Sequence, residues 1–281
     1  MAEISAALVM ELRAKTGAKM MDAKRALVDT DGDLEQAINI LREKGLADAA
    51  KRTHRTTAEG LIVKANSIDG KSGALAELNC ETDFVAKNET FINLASSIVE
   101  NILNGDKNDV CADCLDAALA EEIKATVSKT GENIQFKGGV KYSTEDGAVA
   151  TYLHLGGKIG VMVQIDGKTD DKVSELAYNI AMQVAAANPT YLHRDDVPAE
   201  VLENEKKIYK ELAKNEGKPE NMLDRIAEGR VEKFYKENCL LDQEYIKDSS
   251  LGVKTLVEQV SGEVGAKLTL VKFTRCQLGQ E

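Results

Sequence analysis

Thr82-Asp83-Phe84-Val85 joins two stretches of different periodicity. Before it, Leu75, Glu77 and Asn79 alternate with Ala76, Leu78 and Cys80, as in a strand. After it, Phe91, Leu94, Ala95 and Ile98 recur at helical spacing, with Asn88 placed to cap that helix. Aromatic residues make up only 4% of the chain, so a phenylalanine on this junction calls for a reason. Two readings stand. Phe84 packs back on the following helix as a hydrophobic staple. Alternatively it projects as an apolar anchor for a partner's pocket, where such side chains dominate binding energy. The second reading is a chemistry of association, in which no covalent bond changes.

Other residues suggest reactions and fail on spacing. Cys111 and Cys114 form a C-x-x-C pair, but structural zinc needs four ligands. No second pair lies at finger spacing, and His54, His154 and His193 are scattered, so no metal is expected. The pair then reads as two small residues near a helix start. Gly70-Lys71-Ser72-Gly73 resembles part of a phosphate loop. That motif needs a glycine at position 65, where Ala65 stands, and a helix where a strand follows. In residues 29–35, DTDGDLE, the glycine is fourth rather than sixth, and Ile40 occupies the place of a calcium loop's last carboxylate. Cys80 with His154 could make a thiol nucleophile, yet nothing supplies a group to orient the base. Neither an enzyme nor a bound cofactor is expected.

Composition narrows the partners. The 281 residues carry a formal net charge of −11. Nucleic-acid affinity comes largely from Lys and Arg on phosphates, so direct binding to nucleic acid is not expected. No run approaches the ~20 apolar residues of a membrane span, and the N-terminus lacks the pattern of a signal peptide. Five cysteines, odd in number and widely spaced, argue for a reducing setting, cytoplasmic or organellar-matrix, of which the cytoplasm is the expectation.

The elements that must position Phe84 follow from periodicity. Residues 1–50 read as three short helices. Ser5 caps the first, which stops at Thr16-Gly17; a second runs over about 18–29; Asp33 caps a third, which Gly45 ends. Residues 46–58 read as a tether. From Gly60, two strands turn at Asp69-Gly70, and helices follow over about 88–104 and 115–129, then a strand at 133–143. At an offset of 87 the plan repeats: Gly60 matches Gly147, Gly70 matches Gly157, Lys71 matches Lys158, Gly73 matches Gly160, and Thr82-Asp83 matches Thr169-Asp170. The second copy has Asp171 where the first has Phe84, so the architecture itself does not demand an aromatic. Pro198 opens a helix at an N1-like position, 216–220 breaks it, and a second helix from about Pro219 to Asn238 completes a hairpin. A short helix near 251–260 and a last strand, AKLTLVKFTRCQL, close the chain.

Four stretches carry a resemblance: LRAKTGAKMMDAKRAL (12–27), NCETDFVAKNETF (79–91), YLHLGGKIGVMV (152–163) and EGKPENMLDRIAEGRVEKFYKENCLLDQEYIKD (216–248). In order and over nearly the whole chain, they resemble the bacterial translation elongation factor Ts family. The resemblance implies an α+β fold: an N-terminal three-helix UBA-like module with its tether (1–53), two related β-β-α core subdomains with antiparallel sheets (54–140; 141–198 with 239–281), and an inserted antiparallel helical hairpin (199–238). It implies a guanine-nucleotide exchange factor for the GTPase elongation factor Tu. In that family the Thr-Asp-Phe-Val loop, here Thr82, Asp83, Phe84 and Val85, reaches the partner's Mg²⁺ and phosphate region. The module docks on the GTPase domain, which implicates Arg13, Thr16, Gly17, Met20, Met21 and Lys24. His154, Gly156 and Gly157 resemble a second contact loop, where Leu155 replaces a commonly small residue. The hairpin is a candidate dimer surface. The rival expectation is a scaffold that recruits partners without speeding nucleotide release.

Overall fold

The computed structural model describes residues 4–50 and 52–280, with the side chains of 46 and 48–50 left aside. It is an α+β protein. Three helices come first: α1 (Ala6–Thr16), α2 (Met20–Asp29) and α3 (Leu34–Ala50). The Ser5 hydroxyl accepts from the Leu8 N–H at 3.2 Å, and Gly17, at φ 69°, ends α1 in the left-handed conformation glycine favours. Asp33 accepts from the Gln36 N–H at 3.0 Å at the start of α3. Val9, Leu12, Ala23, Ala26, Leu27 and Ala37 are buried together between these helices.

Gly45 does not stop α3, which runs on to Ala50. A Cβ at position 45 would lie 2.8 Å from Ser128 Oγ, so the glycine lets α3 press closely on α6 (Ala117–Thr130). Its role is packing, which single-sequence punctuation cannot reveal. The expected tether is shortened accordingly, and its position 51 lies outside the described residues. Asn133 Nδ2 donates to the carbonyls of Thr53 (3.3 Å) and Arg55 (2.8 Å), binding this segment to the core.

The core holds two antiparallel sheets. In the first, β1 (Glu59–Asn66), β2 (Ser72–Cys80), β4 (Ile134–Ser143) and β3 (Asp109–Cys111) lie in that order. Helices α5 (Glu89–Asn104) and α6 cover one face. The second has the order β5 (Gly147–His154), β6 (Ile159–Asp166), β9 (Thr269–Gln277), covered by α7 (Asp171–Ala187) and α10 (Val253–Val264). The last strand joins the second sheet as the sequence predicts.

The 87-residue repeat is physical. The Ile62 N–H donates to Gly157 O and the Val149 N–H to Gly70 O, each at 2.8 Å, and both pairs are related by the same offset. Gly60 and Gly147 occupy equivalent extended, positive-φ positions (148° and 156°). A Cβ there would meet Leu78 O at 2.2 Å and Ile165 O at 2.0 Å. Gly73 faces Val149, and Gly160 faces Ile62, so each sheet opens a glycine gap for a branched side chain of the other. Ile62, Leu75, Tyr142, Val149 and Met162 fill the space between the sheets.

The hairpin comprises α8 (Ala199–Asn215) and α9 (Leu223–Asn238). Pro198 is the N-cap, one position before the N1 place expected of it. A single 3₁₀ turn over Glu220–Met222 precedes α9, which therefore starts later than predicted. Ala213, Ala227 and Val231 are buried, and Arg230 pairs with Glu216 at 2.7 Å. A two-stranded ribbon, β7 (Glu244–Tyr245) with β8 (Asp248–Gly252), has no counterpart in the sequence reading, because a single apolar residue, Leu251, among the five of β8 gives no alternation. Cys111 and Cys114 are joined as a disulfide, a pairing the sequence reading did not anticipate.

Candidate functional site

Thr82 to Val85 form the start of α4 (Asp83–Ala86), a single turn between β2 and α5. Thr82 is extended (φ −127°, ψ 155°), and its hydroxyl accepts from the Val85 N–H at 3.4 Å. Its other polar atoms are also engaged. The N–H donates to Glu132 Oε2 at 3.0 Å, the hydroxyl donates to Glu132 Oε1 at 2.6 Å, and the carbonyl accepts from the Cys80 thiol at 3.1 Å. Val85 packs against the first core and Ala86 is buried. Asn88 caps α5 by accepting from the Thr90 N–H at 2.9 Å.

Phe84 does not staple the helix. It is 82% exposed, whereas Phe91, seven residues on, is fully buried. Asp83 pairs with Lys87 at 2.7 Å across one turn. That bond, aided by the field of Lys87 and then of Lys158, holds the Asp83 carboxyl below its ordinary value of 3.8. Lys158 in turn pairs with Glu59. The Asp83–Lys87 and Glu59–Lys158 pairs thus feel each other's charge, Lys158 favouring the ionised Asp83 and Glu59 the charged Lys87.

His154 ends β5, and the loop that follows carries Gly156 and Gly157. Leu155, Gly156 and Gly157 all have positive φ (51°, 66° and 91°). The left-handed region costs a residue with a Cβ roughly 1–2 kcal/mol, and Leu155 bears it while standing 67% exposed. His154 is exposed, and Tyr152 stacks beside it with ring centroids 5.9 Å apart. Gly157 is anchored by the bond its carbonyl accepts from Ile62.

The module's residues divide. Arg13, Met20, Met21 and Lys24 are exposed, Met21 to 65%. Thr16 is half-buried, its hydroxyl donating to Leu12 O at 2.7 Å. Gly17 lies over Lys129 of α6, with space for a Cβ only 3.1 Å from Lys129 Cγ. Thr16 and Gly17 thus line a cleft of about 690 Å³ between module and core, with Lys15, Lys19 and Lys129.

The structure removes the thiol reading. Cys80 is fully buried and donates to a backbone carbonyl, while His154 is exposed. Burial first, and then the Glu132 carboxylate, push the Cys80 thiol up to about 12. Among the described residues, no group of three or more His, Cys, Asp or Glu side chains could hold a metal ion, and no helix is long and apolar enough to cross a membrane. Sequence reasoning missed Glu132, Lys87 and the Glu59–Lys158 pair. Of these only Lys87, four residues from Asp83, left a readable signal.

A family model described as Elongation factor TS matches residues 81–280. The fold and this match define a protein of translation elongation. The chain is also 44% identical over 283 aligned positions to an elongation factor Ts of Clostridium perfringens (strain SM101 / Type A), covering 99% of this chain and 93% of that protein. It is 45% identical over 285 positions to the Clostridium acetobutylicum elongation factor Ts, with the same coverage. The chain belongs to the elongation factor Ts family.

Proposed function

We propose that the chain is a guanine-nucleotide exchange factor that binds elongation factor Tu carrying GDP and speeds GDP release without covalent chemistry. Thr82, Asp83, Phe84 and Val85 disturb the partner's Mg²⁺ and phosphate site. Residues 1–53 dock on the GTPase domain through Arg13, Thr16, Gly17, Met20, Met21 and Lys24. The two core subdomains, 54–140 and 141–198 with 239–281, add contacts at His154, Gly156 and Gly157. The hairpin, 199–238, offers a surface to a second copy. The protein acts in the cytoplasm. The observation that carries this reading is Phe84 itself, 82% exposed on a turn whose base is bonded at every polar atom of Thr82.

Exchange is negative coupling between two ligands of one partner. A GTPase grips its nucleotide through phosphates and Mg²⁺. Loosening that grip a thousandfold takes about 4 kcal/mol, while burying one phenylalanine yields roughly 1.5–3 kcal/mol. A single wedge therefore needs a wide docking surface behind it, and the exposed Met10, Met20, Met21 and Leu155 supply apolar area for one. The test is stopped-flow release of a fluorescent GDP from elongation factor Tu. Wild type should accelerate release, and Phe84→Ala should slow that accelerated rate. A chain that binds without changing the release rate is a scaffold, and the reading is then wrong.

A further inference from the structure

Four residues of helix cannot hold themselves in place, since isolated turns are unstable without outside support. Phe84 points away from its own core, so its position depends on what grips the base of the turn. Pairing between β2 and β4 ends at Cys80 opposite Ile134. Beyond that point two carboxylates continue the pairing. Glu132 takes both the N–H and the hydroxyl proton of Thr82, and Glu81 Oε1 accepts from the Asn133 N–H at 2.7 Å. Residues 81–82 and 132–133 thus exchange three hydrogen bonds, all charge-assisted and so stronger than neutral ones.

Glu132 is aimed there by Gly131, which ends α6 in the left-handed conformation (φ 81°). The same end of α6 carries Lys129, against which the module's Gly17 lies. One short segment therefore touches the module and grips the wedge.

Resting on the exchange reading, we propose that Glu132 is the positioning residue of the Phe84 wedge: its carboxylate holds Thr82 at two atoms and so sets where the phenyl ring enters the partner. Glu132 itself stays on the protein side of the turn and has no part in contacting nucleotide. Its effect on exchange passes through the turn it holds, chiefly through Phe84.

The experiment uses the full chain with elongation factor Tu and fluorescent GDP, comparing Glu132→Ala, Glu132→Gln, Phe84→Ala and the Glu132→Ala/Phe84→Ala double variant. Losing hydrogen bonds to a charged group predicts that Glu132→Ala slows factor-driven release about tenfold. Glu132→Gln, which keeps one acceptor, should fall between it and wild type. In the Phe84→Ala background, Glu132→Ala should add less than about twofold, because no wedge remains to misplace. Amide exchange at Thr82 and Val85 should speed up in Glu132→Ala while buried amides of β2 stay protected. Wild-type release rates in Glu132→Ala, or an undiminished effect in the Phe84→Ala background, overturn the proposal. If Glu132→Ala fails to fold, Glu132→Gln decides by the same two criteria. Should wild type itself fail to speed release, the exchange reading falls, and the amide measurement alone judges whether Glu132 holds the turn.

Discussion

Phe84 and Phe91 share a side chain and have opposite fates. Phe91 fills the first core with Leu94, Ile98 and Leu78, while Phe84 leaves it. Urea unfolding should separate them: Phe91→Ala costs about 3–5 kcal/mol as a cavity mutation, and Phe84→Ala stays within about 0.5 kcal/mol. Sequence left Phe84 open between staple and anchor because both place an apolar residue just before a helix. The decision rested on Glu132, fifty residues away, which ties down Thr82 and lets Val85 and Ala86 do the packing. Cys80 gives a pH prediction at the same scale. Its folded thiol is pushed up to about 12, above the ordinary 9.0, so the folded state holds the proton more tightly than the unfolded chain. That contribution is fully present below pH 9 and is lost as pH rises towards about 12. Thermal melts across that window should fall less steeply for Cys80→Ala than for wild type.

Caps and turns made most elements legible. Ser5, Asp33, Asn88 and the glycines at 17 and 70 stand where local chemistry puts them, and the structure keeps each in that role. What escaped depends on contacts between distant segments. Gly45 looks like a stop and serves as a gap for Ser128; β7 and β8 are too short and polar for a period; α4 is one turn long. The repeat was legible as order rather than identity, and its glycines explain why. Gly60 and Gly147 are held by carbonyls 2.2 and 2.0 Å from where a Cβ would sit. Alanine at either site should therefore destabilise by about 1–3 kcal/mol, and by similar amounts at both. Equilibrium denaturation of Gly60→Ala and Gly147→Ala checks this, and a neutral result at one site would show that the two strands are not equivalent.

At the scale of the whole molecule, exposed apolar side chains are spread over three regions of the fold. The module exposes methionines on α1 and α2, the α4 turn presents Phe84, and the loop between β5 and β6 presents Leu155 next to His154. The chain's family membership was legible from motifs, whereas the contacts of α6's end with Gly17 and, through Glu132, with Thr82 were not, since a lone glutamate after a glycine carries no spacing signal. If the chain acts as an exchange factor, it and GDP oppose each other's binding to one partner through negative coupling. Calorimetric affinity of the chain for elongation factor Tu, measured with and without saturating GDP, tests it most directly. GDP should weaken chain binding by the same factor by which the chain weakens GDP binding, and Phe84→Ala should shrink both factors together. Equal affinity of the chain for the nucleotide-free and GDP-bound partner would contradict it.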